Sequence, residues 1–342
     1  MFIGICGGIC AGKRTVAGYL KEHHGFTQIY LREGLDKKAD QESKGGANGQ
    51  GTTSPGGEIE PTHVFNLVDD LVEFVTKRWK NRWVTTDINS EAILDQIFRR
   101  PFFILVSIDA PVTVRWERYQ ARQPKLVDYK LEDFLCDSDK HLYHPMSGLL
   151  PLISRATIRL LNTSSNLAHL YATLGKLDLT NEDRLRPSWD QYFMQLASLA
   201  AQRSNCMKRR VGCVLVREKR VIATGYNGTP RGLKNCGEGG CPRCNGGQGS
   251  GVSLSSCLCL HAEENALLEA GRERVREGAV LYCDTCPCLT CSIKICQMGI
   301  TEVIYSFSYS MDIETAAVFS QAGVRLRQFI PPANGLIHLE KA

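Results

Sequence analysis

Two apolar runs stand out in the first half of the chain. Residues 1–6 and 102–109 are almost continuously apolar, which is typical of strands that are buried on both faces of a parallel sheet. A glycine-rich turn follows the first run, and a helical segment with several arginines follows the second. This alternation of buried strands and helices predicts an α/β domain built on a parallel sheet.

The second half has a different pattern. Apolar residues recur at helical spacing over 189–202, and two apolar runs at 211–216 and 221–225 predict a β-hairpin. A helix rich in Ala, Leu and Glu is predicted from residue 260 to the glycine at 271. The elements predicted after it are a strand at 279–283, a helix that begins at Pro287, a strand at 303–307 and a helix at 315–321. This order predicts a three-layer α/β domain in which helices pack on a mixed sheet.

Two changes in composition divide the chain. Residues 37–61 are rich in Gly, Ser, Gln and Thr and poor in apolar residues, so we interpret them as a flexible, solvated insert. Residues 174–187 are charged and end in Arg-Pro, which predicts a linker. We therefore expect a first domain at 1–175 and a second domain at 186–331.

The composition is that of a globular intracellular protein. Apolar residues make up 43% and charged residues 23% of the 342 positions, and neither a membrane span nor a signal peptide is recognisable. The 15 cysteines are concentrated in the second half at Cys-x-x-Cys spacings. In an intracellular chain, such spacings indicate metal binding rather than disulfide bonds. We expect a cytoplasmic or nuclear protein with no membrane partner. The net charge of +5 fits a small anionic substrate better than extended nucleic acid.

Four residues of the second domain form the most informative combination: His261, Glu263, Cys288 and Cys291. One imidazole and two thiolates are three ligands for a tetrahedral Zn²⁺, which leaves the fourth position open for water. The ion lowers the pKa of that water toward neutrality. Glu263 lies two residues from His261, so it can reach the water without binding the metal. This arrangement predicts a catalytic zinc with Glu263 as general acid and base.

A purely structural zinc site is the alternative, although such sites usually close with four protein ligands. Cys283 and Cys286 are further thiols that could compete for the ion. The Pro-Cys-x-x-Cys spacing favours Cys288 and Cys291, because positions i and i+3 share one face of the helix predicted to begin at Pro287. The exposed N–H groups at such a helix N-terminus also stabilise thiolates.

The His-x-Glu and Pro-Cys-x-x-Cys motifs are the signature of zinc-dependent nucleobase deaminases. Residues 186–331 resemble, more narrowly, the fungal deoxycytidylate (dCMP) deaminases. The resemblance rests on the segments at 203–206 (Arg-Ser-Asn-Cys), 225–232 (Gly-Tyr-Asn-Gly-Thr-Pro-Arg-Gly), 241–245 (Cys-Pro-Arg-Cys-Asn), 261–266 (His-Ala-Glu-Glu-Asn-Ala) and 286–291 (Cys-Pro-Cys-Leu-Thr-Cys). It implies a cytidine deaminase-like fold and hydrolysis of dCMP to dUMP and ammonia for thymidylate synthesis. It further implies a homo-oligomer that dCTP activates and dTTP inhibits.

The resemblance also implies substrate-binding positions. Asn227 would contact the sugar and base of the nucleotide, and Thr229 lies in the same loop. Asn-Gly is also the strongest short signal for a hairpin turn, so a turn without substrate contact stays open. Tyr309, just past the predicted strand at 303–307, is a candidate for stacking on the pyrimidine.

The 5′-phosphate requires a cation, and a guanidinium can hold it through two parallel hydrogen bonds. Arg203 and Arg231 lie near the segments expected to line the pocket, as do Lys208, Arg209 and Arg210. The sequence does not choose among them, and most are expected to be solvated surface charges.

Further cysteines suggest a second, structural zinc. Five of them lie in a glycine-rich stretch with little apolar content, and the Cys-x-x-Cys pair at 241 and 244 has the spacing of a structural site. The resemblance adds support, because some dCMP deaminases carry a second zinc. Six candidates for four positions leave the ligand set open, and unligated thiols are the alternative. The candidates are Cys206, Cys236, Cys241, Cys244, Cys257 and Cys259.

The first domain contains the Gly-x-x-x-x-Gly-Lys pattern of a phosphate-binding P-loop, with Gly7, Gly12 and Lys13 at the defining positions. Backbone N–H groups of such a loop hold phosphates, and the lysine reaches their oxygens. Arg14 stands where Ser or Thr normally binds Mg²⁺, and Thr15 comes one residue late. The domain resembles nucleoside-monophosphate or dephospho-coenzyme A kinases. A degenerate domain retained for assembly or regulation is the alternative.

Three other functions compete with a dCMP deaminase. A polynucleotide deaminase requires a basic groove and aromatic residues for splayed bases, and neither is prominent here. A deaminase of free nucleosides would have no use for the nearby arginines. A non-catalytic, zinc-stabilised nucleotide sensor would have no use for Glu263, so this residue favours an enzyme.

Overall fold

The computed structural model describes residues 1–32, 63–123, 128–164, 166–249, 252–308, 312–333 and 335–339. The predicted insert at 37–61 lies outside the described residues. The chain divides into two compact units. One comprises Met1–Arg186 together with Ala333–Ala342, and the other comprises Pro187–Pro332.

Strands and helices alternate along most of the described chain. The strands are β1 (Phe2–Gly7), β2 (Thr27–Gln28), β3 (Tyr30–Leu31), β4 (Val64–Phe65), β5 (Trp83–Thr85), β6 (Phe103–Asp109), β7 (Ile158–Leu161), β8 (Gly212–Arg217), β9 (Arg220–Tyr226), β10 (Val280–Thr285), β11 (Glu302–Phe307), β12 (Arg325–Gln328) and β13 (Gly335–His338). The α-helices are α1 (Lys13–His24), α2 (Val68–Lys77), α3 (Glu91–Phe98), α4 (Val112–Arg122), α5 (Leu131–Tyr143), α6 (Leu150–Ser154), α7 (Leu167–Leu177), α8 (Trp189–Ala201), α9 (Pro242–Asn245), α10 (Ala262–Val275), α11 (Leu289–Gln297) and α12 (Asp312–Gln321). Short 3-10 turns cover Glu182–Arg184, Cys236–Glu238 and Leu254–Ser256. No helix in the described ranges has the length and apolar character needed to cross a bilayer.

The first unit is built on a six-stranded parallel sheet in the order β13-β7-β6-β1-β5-β2. All six residues of β1 are buried. Phe2 and Cys6 enter one apolar core, and Ile3 and Ile5 enter another, because successive side chains of a strand point to opposite faces. Helices α2 and α3 supply the first core, and α1 and α7 supply the second. The parallel sheet predicted from the apolar runs is therefore present.

The segment at 174–187 differs from the predicted linker. Leu174, in the last part of α7, and Leu179 are buried in the core of the first unit. A 3-10 turn at Glu182–Arg184 follows them. The charged residues that suggested a linker alternate with leucines that pack, so the segment belongs to the first unit up to Arg186.

The last described residues return to the first unit. Strand β13 pairs in parallel with β7, with Leu336 opposite Arg159 and Ile337 opposite Leu160. Leu339 directly after it is fully buried. The sequence predicts no element here. As a result, the whole second unit lies between two segments of the first in the order of the chain.

The second unit has a mixed sheet in the order β12-β11-β10-β8-β9. Strands β10, β11 and β12 are parallel, and β8 runs antiparallel to both β9 and β10. Cys213 and Leu215 of β8 face a core completed by α10, α11 and α12, whereas Val214 and Val216 face a core completed by α8. Helices thus cover both faces of the sheet, which confirms the predicted α/β architecture with a mixed sheet.

Two glycines allow helices of this unit to lie directly against strands. A Cβ atom at Gly225 of β9 would come within 2.1 Å of the Ala262 carbonyl oxygen in α10. A Cβ atom at Gly212 of β8 would come within 2.0 Å of the Ala197 carbonyl oxygen in α8. Contacts this short are sterically forbidden, so only glycine permits the observed helix positions.

Candidate metal centres

Two helices of the second unit begin at the same place. His261 is the N-cap residue of α10, and Cys288 is the N-cap residue of α11. Cys291 lies in the first turn of α11 and is fully buried. Pro287 precedes the cap, so the prediction that it opens this helix is off by two residues. Both helix N-termini direct partial positive charge toward this point, which favours thiolates there.

The three predicted ligands come together at the distances that a zinc ion requires. Nδ1 of His261 lies 3.3 Å from Sγ of Cys288 and 3.4 Å from Sγ of Cys291. Zn–S and Zn–N bonds of normal length at a tetrahedral angle place sulfur and nitrogen about 3.5 Å apart. The donor types and their spacing therefore fit Zn²⁺, with three ligands from the described chain.

The competing thiols do not join this group. Cys283 lies in β10 directly opposite Cys213 of β8, and both are fully buried. The backbone N–H of Cys286 donates to the Phe307 carbonyl. Neither Cys283 nor Cys286 belongs to the set of ligand atoms formed by His261, Cys288 and Cys291 in the described structure.

The two ligand cysteines differ in acidity. Hydrogen bonding from Cys291 and from His261 lowers the pKa of Cys288 to about 3. The same contact with Cys288, together with burial, raises the pKa of Cys291. The pair thus already favours a thiolate at Cys288, which is the form that binds metal.

Glu263 occupies the second position of α10 and is only 4% exposed. Burial raises the pKa of its carboxyl group, and the nearby His261 opposes this shift. A carboxyl group with a raised pKa accepts and releases a proton closer to neutral pH than an exposed one does. The arrangement therefore suits a proton carrier beside the three ligands.

The sequence interpretation missed the residues that hold α10 in place. Glu264 Oε2 accepts a hydrogen bond of 3.0 Å from the backbone N–H of His261, and its other oxygen forms an ion pair with Lys294 of α11. Asn265 Nδ2 donates to the Tyr226 carbonyl over 2.8 Å. A glutamate three residues after an N-cap is a known capping signal and could have been recognised.

Asn227 is a buried hydrogen-bonding centre, with 8% of its surface exposed. Its Oδ1 accepts from the Ser204 hydroxyl at 2.7 Å and from the Val211 backbone N–H at 2.8 Å. Its Nδ2 donates to the Arg209 carbonyl at 2.7 Å. These bonds connect the loop after α8 with the loop after β9, and they leave one N–H of the amide for another partner.

The remaining substrate-binding candidates have different surroundings. The Thr229 hydroxyl is buried, and it makes no hydrogen bond within the described structure. Its backbone N–H donates to Asn205 Oδ1. Arg231 is 97% exposed at its side chain and pairs with Glu269 of α10. Tyr309 lies outside the described residues. Arg203 and its neighbours Lys208, Arg209 and Arg210 are exposed.

The six further cysteines also come together. Cys206, Cys236, Cys244 and Cys259 form one set of sulfur atoms within 4.8 Å of one another. Cys241, Cys244, Cys257 and Cys259 form a second set at the same limit. All six predicted candidates are therefore neighbours.

The P-loop candidates of the first unit lie between β1 and α1. Gly12 is the N-cap residue of α1 with φ of 111°, and Lys13 begins the helix. Lys13 Nζ donates to the carbonyl oxygens of Gly7 and Gly8 at 2.8 and 2.9 Å. Thr15 lies in the first turn of the same helix, one position past the place where a P-loop carries its hydroxyl.

The layered fold and the His, Cys, Cys and Glu arrangement define a zinc-dependent deaminase of the cytidine type. The family model described as the cytidine and deoxycytidylate deaminase zinc-binding region matches residues 187–307, and Zn²⁺ is the cofactor. The chain is 49% identical to the deoxycytidylate deaminase of Schizosaccharomyces pombe over 334 residues, which cover 98% of this chain and 99% of that protein. The chain belongs to the deoxycytidylate deaminase family.

Other relatives match a smaller share of this chain. The deoxycytidylate deaminase of Saccharomyces cerevisiae is 48% identical over 270 residues, which cover 76% of this chain and 85% of that protein. A solved structure of dCMP deaminase from the cyanophage S-TIM5 in complex with dCMP and dUMP is 32% identical, with a TM-score of 0.35. That match covers 42% of this chain and 98% of the phage protein.

Proposed function

We propose that this protein catalyses the hydrolytic deamination of dCMP to dUMP and ammonia, which supplies dUMP for thymidylate synthesis. The observation that carries the proposal is the buried carboxyl group of Glu263 beside a zinc site with three protein ligands. The full-length similarity to the deoxycytidylate deaminase of Schizosaccharomyces pombe supports the choice of substrate.

Each residue of the site has a defined role in this reaction. His261 Nδ1 and the thiolates of Cys288 and Cys291 would hold Zn²⁺, which when bound would supply the Lewis acidity that makes water a nucleophile at neutral pH. Glu263 takes a proton from the attacking water and delivers protons to N3 of the pyrimidine and to the departing amine. The water oxygen forms a bond to C4, the C4–N bond breaks, the oxygen stays as the C4 carbonyl, and ammonia leaves. Burial of Glu263 excludes solvent from this proton transfer.

We assign the recognition of the nucleotide to Asn227 and Thr229. The remaining amide N–H of Asn227 and the Thr229 hydroxyl, which has no partner among the described residues, can each bond a sugar or base oxygen. A buried hydroxyl without a partner is costly, and a bound substrate would remove that cost. Arg203 and Arg231 are the cations assigned to the phosphate, and Tyr309 is assigned to stacking on the ring.

The test measures ammonia release by the zinc-loaded protein from dCMP, CMP, deoxycytidine and a cytosine-containing oligonucleotide. Turnover confined to dCMP supports the proposal. Turnover of deoxycytidine or of the oligonucleotide would keep the zinc chemistry and overturn the substrate. Absence of turnover with all four would favour a zinc-stabilised nucleotide sensor.

For the first unit we propose a P-loop kinase-like fold that binds nucleotide phosphate. The supporting observations are the parallel sheet, the position of Lys13 at the start of α1, and Arg118 of α4, which donates to the carbonyl oxygens of Cys10 and Ala11. We expect binding of a nucleoside triphosphate to the intact protein, and loss of that binding in Lys13→Met. Equal affinity of the two proteins would contradict the proposal.

The family resemblance further supports a homo-oligomer that dCTP activates and dTTP inhibits. The cysteine usage supports a location in the cytoplasm or the nucleus. Initial rates with dCMP at rising concentrations of each effector test the regulation, and sedimentation tests the assembly. A rate that neither nucleotide changes would overturn the proposed regulation. Fluorescence imaging of a tagged chain tests the location.

A further inference from the structure

The two sets of cysteine sulfurs in the second unit overlap in a particular way. Both sets contain Cys244 and Cys259. Cys206 and Cys236 complete one set, and Cys241 and Cys257 complete the other. A single zinc ion uses four thiolates, so one ion in either set would leave two thiols of the other set unused.

The distances within both sets are those between thiolates on a common ion. Four Zn–S bonds of about 2.3 Å in a tetrahedron place the sulfur atoms about 3.8 Å apart. The sulfurs of Cys206 and Cys244 are separated by 3.8 Å, and those of Cys244 and Cys259 by 3.9 Å. In the second set, the sulfur of Cys257 lies 3.9 Å from that of Cys241 and 4.0 Å from that of Cys244. These separations are about twice the length of a disulfide bond.

We propose that the six cysteines bind two Zn²⁺ ions as a binuclear cluster, in which the thiolates of Cys244 and Cys259 bridge the two ions. Each ion is then tetrahedral, with two bridging and two terminal thiolates. The charge supports this assignment, because one ion with four thiolates and two ions with six thiolates both carry a net charge of about −2. The second ion therefore engages the two remaining thiols without adding to the charge of the cluster.

Packing in this region supports the same conclusion. Among the described residues, the local core consists of cysteines: Cys206, Cys236, Cys241 and Cys244 are buried, and Cys257 and Cys259 pack against them. The glycine-rich segment around them has few apolar side chains with which to form a core. Metal ligation can supply the folding energy that an apolar core would otherwise provide.

Hydrogen-bond donors lie next to three of the sulfur atoms that bind only one ion in the proposed cluster. The backbone N–H of Met207 contacts Sγ of Cys236, and that of Leu258 contacts Sγ of Cys241, each at 3.4 Å. The guanidinium of Arg243, a buried side chain, lies 3.9 Å from Sγ of Cys257. Terminal thiolates bind one ion and keep more negative charge than bridging ones, so this is where donors stabilise most.

The cluster connects the segments that form the candidate active site. Cys206 follows Asn205, whose Oδ1 accepts the backbone N–H of Thr229. The bridging Cys259 lies two residues before His261, the N-cap residue of α10. Two ions held by six thiolates would therefore fix the loop that carries Thr229 and the start of the helix that carries Glu263.

The first experiment is a metal count on the intact full-length protein by elemental analysis. We expect three zinc ions per chain, one at His261, Cys288 and Cys291 and two in the cluster. Two ions per chain would overturn the binuclear assignment in favour of a single structural zinc, and one ion would overturn a second metal site altogether.

Substitution of a cysteine that binds only one ion tests the proposed cluster through the metal count. Cys241→Ser removes a terminal ligand of one ion only, so we expect the count to fall from three to two. The matched control is Cys136→Ser, because Cys136 is exposed and belongs to neither set, and its count should stay at three. An unchanged count in Cys241→Ser would contradict the assignment.

A measurement on the unsubstituted chain identifies the bridges directly. After exchange of zinc for ¹¹³Cd, the β-protons of Cys244 and Cys259 should each couple to two cadmium nuclei, and those of the other four cysteines to one. Coupling of each of the six cysteines to one cadmium nucleus only would show that no thiolate bridges two ions, and it would overturn the proposal.

Discussion

Lys294 of α11 forms an ion pair with Glu264 of α10, the residue that directly follows Glu263. The carboxylate of Glu264 also accepts the backbone N–H of His261. One side chain therefore joins the two helices whose N-termini carry the proposed zinc ligands. The side chain of Glu264 is 17% exposed and that of Lys294 is 51% exposed, so solvent screens this pair in part.

Removal of this connection should weaken zinc binding. We expect Glu264→Ala to lower the affinity of the catalytic site for zinc by roughly 10-fold, because partners that orient a ligand typically contribute 10- to 100-fold. Competition with a chromogenic chelator measures the effect. Glu269→Ala is the matched control on the same helix, since its pair with the exposed Arg231 contributes little. Equal zinc affinity in the two variants would refute the orienting role of Glu264.

Glu263→Gln tests the proton carrier. The amide keeps the size of the side chain and cannot take a proton from water, so we expect kcat with dCMP to fall by roughly 10³-fold or more while zinc stays bound. Steady-state kinetics and metal analysis of the same preparation measure both effects. Glu273→Gln, at an exposed position of the same helix, should keep normal activity. An active Glu263→Gln enzyme would show that the mechanism is wrong.

Gly225→Ala tests the close approach of α10 to β9. The added Cβ atom would lie within 2.1 Å of the Ala262 carbonyl oxygen and 2.5 Å of the Ala266 nitrogen, so the helix must move. We expect a destabilisation of roughly 3 kcal/mol and a loss of bound zinc. Thermal unfolding and metal analysis provide the measurements.

Gly18→Ala is the control for this substitution, because Gly18 lies in α1 and the added Cβ would lie 3.8 Å from Oε1 of Glu22, an ordinary contact distance. It should be neutral or slightly stabilising, since alanine favours helix more than glycine does. If Gly225→Ala melted like Gly18→Ala and kept its zinc, the steric argument would fail.

Asp190 at the start of α8 provides a pH-dependent test of the fold. Its carboxylate accepts the Tyr282 hydroxyl at 2.8 Å and pairs with Arg327 at 2.7 Å. Burial acts to raise the pKa of Asp190, but the hydrogen bonds from Arg327 and Tyr282 outweigh it, so the pKa lies below its ordinary value. The resulting stability is present above the unfolded-state pKa, about 3.9, and is lost as the pH falls through the lower folded-state pKa.

We therefore expect Tyr282→Phe to cost about 2 kcal/mol of stability at neutral pH, because it removes a charge-assisted hydrogen bond. The difference from the unsubstituted protein should shrink as Asp190 becomes protonated. Denaturant unfolding at neutral and acidic pH measures it, with Tyr192→Phe on the exposed side of α8 as control. A difference that stays constant with pH would argue against the contribution of the Asp190 carboxylate.

The sequence predicts those features that depend on neighbouring residues. The apolar runs at 211–216 and 221–225 are enough to predict β8 and β9, although the turn between them uses Glu218 and Lys219 at positive φ rather than glycine. The proposed zinc ligands follow from a motif whose spacing brings them together. The helix predicted to stop at Gly271 does break there, with φ of 67°, and one further turn follows to Val275.

Features that depend on distant contacts could not be predicted in this way. Strand β13 is four residues long, and its pairing with β7 decides its structure. The burial of Leu174 and Leu179 overrides the charge pattern that suggested a linker. The division of six cysteines into two sets requires distances between segments far apart in the chain. Spacing alone therefore leaves the ligand set open.

The pairing of β13 with β7 has a consequence for the order in which the protein is made. A ribosome produces Gly335–His338 only after the whole of Pro187–Pro332. All residues of the second unit are therefore synthesised before β13, the edge strand of the first sheet. During that interval β7 presents unpaired backbone groups at an open edge, where strands of other chains can pair. Chaperone protection of nascent chains should therefore matter most for the part of this protein that is synthesised first.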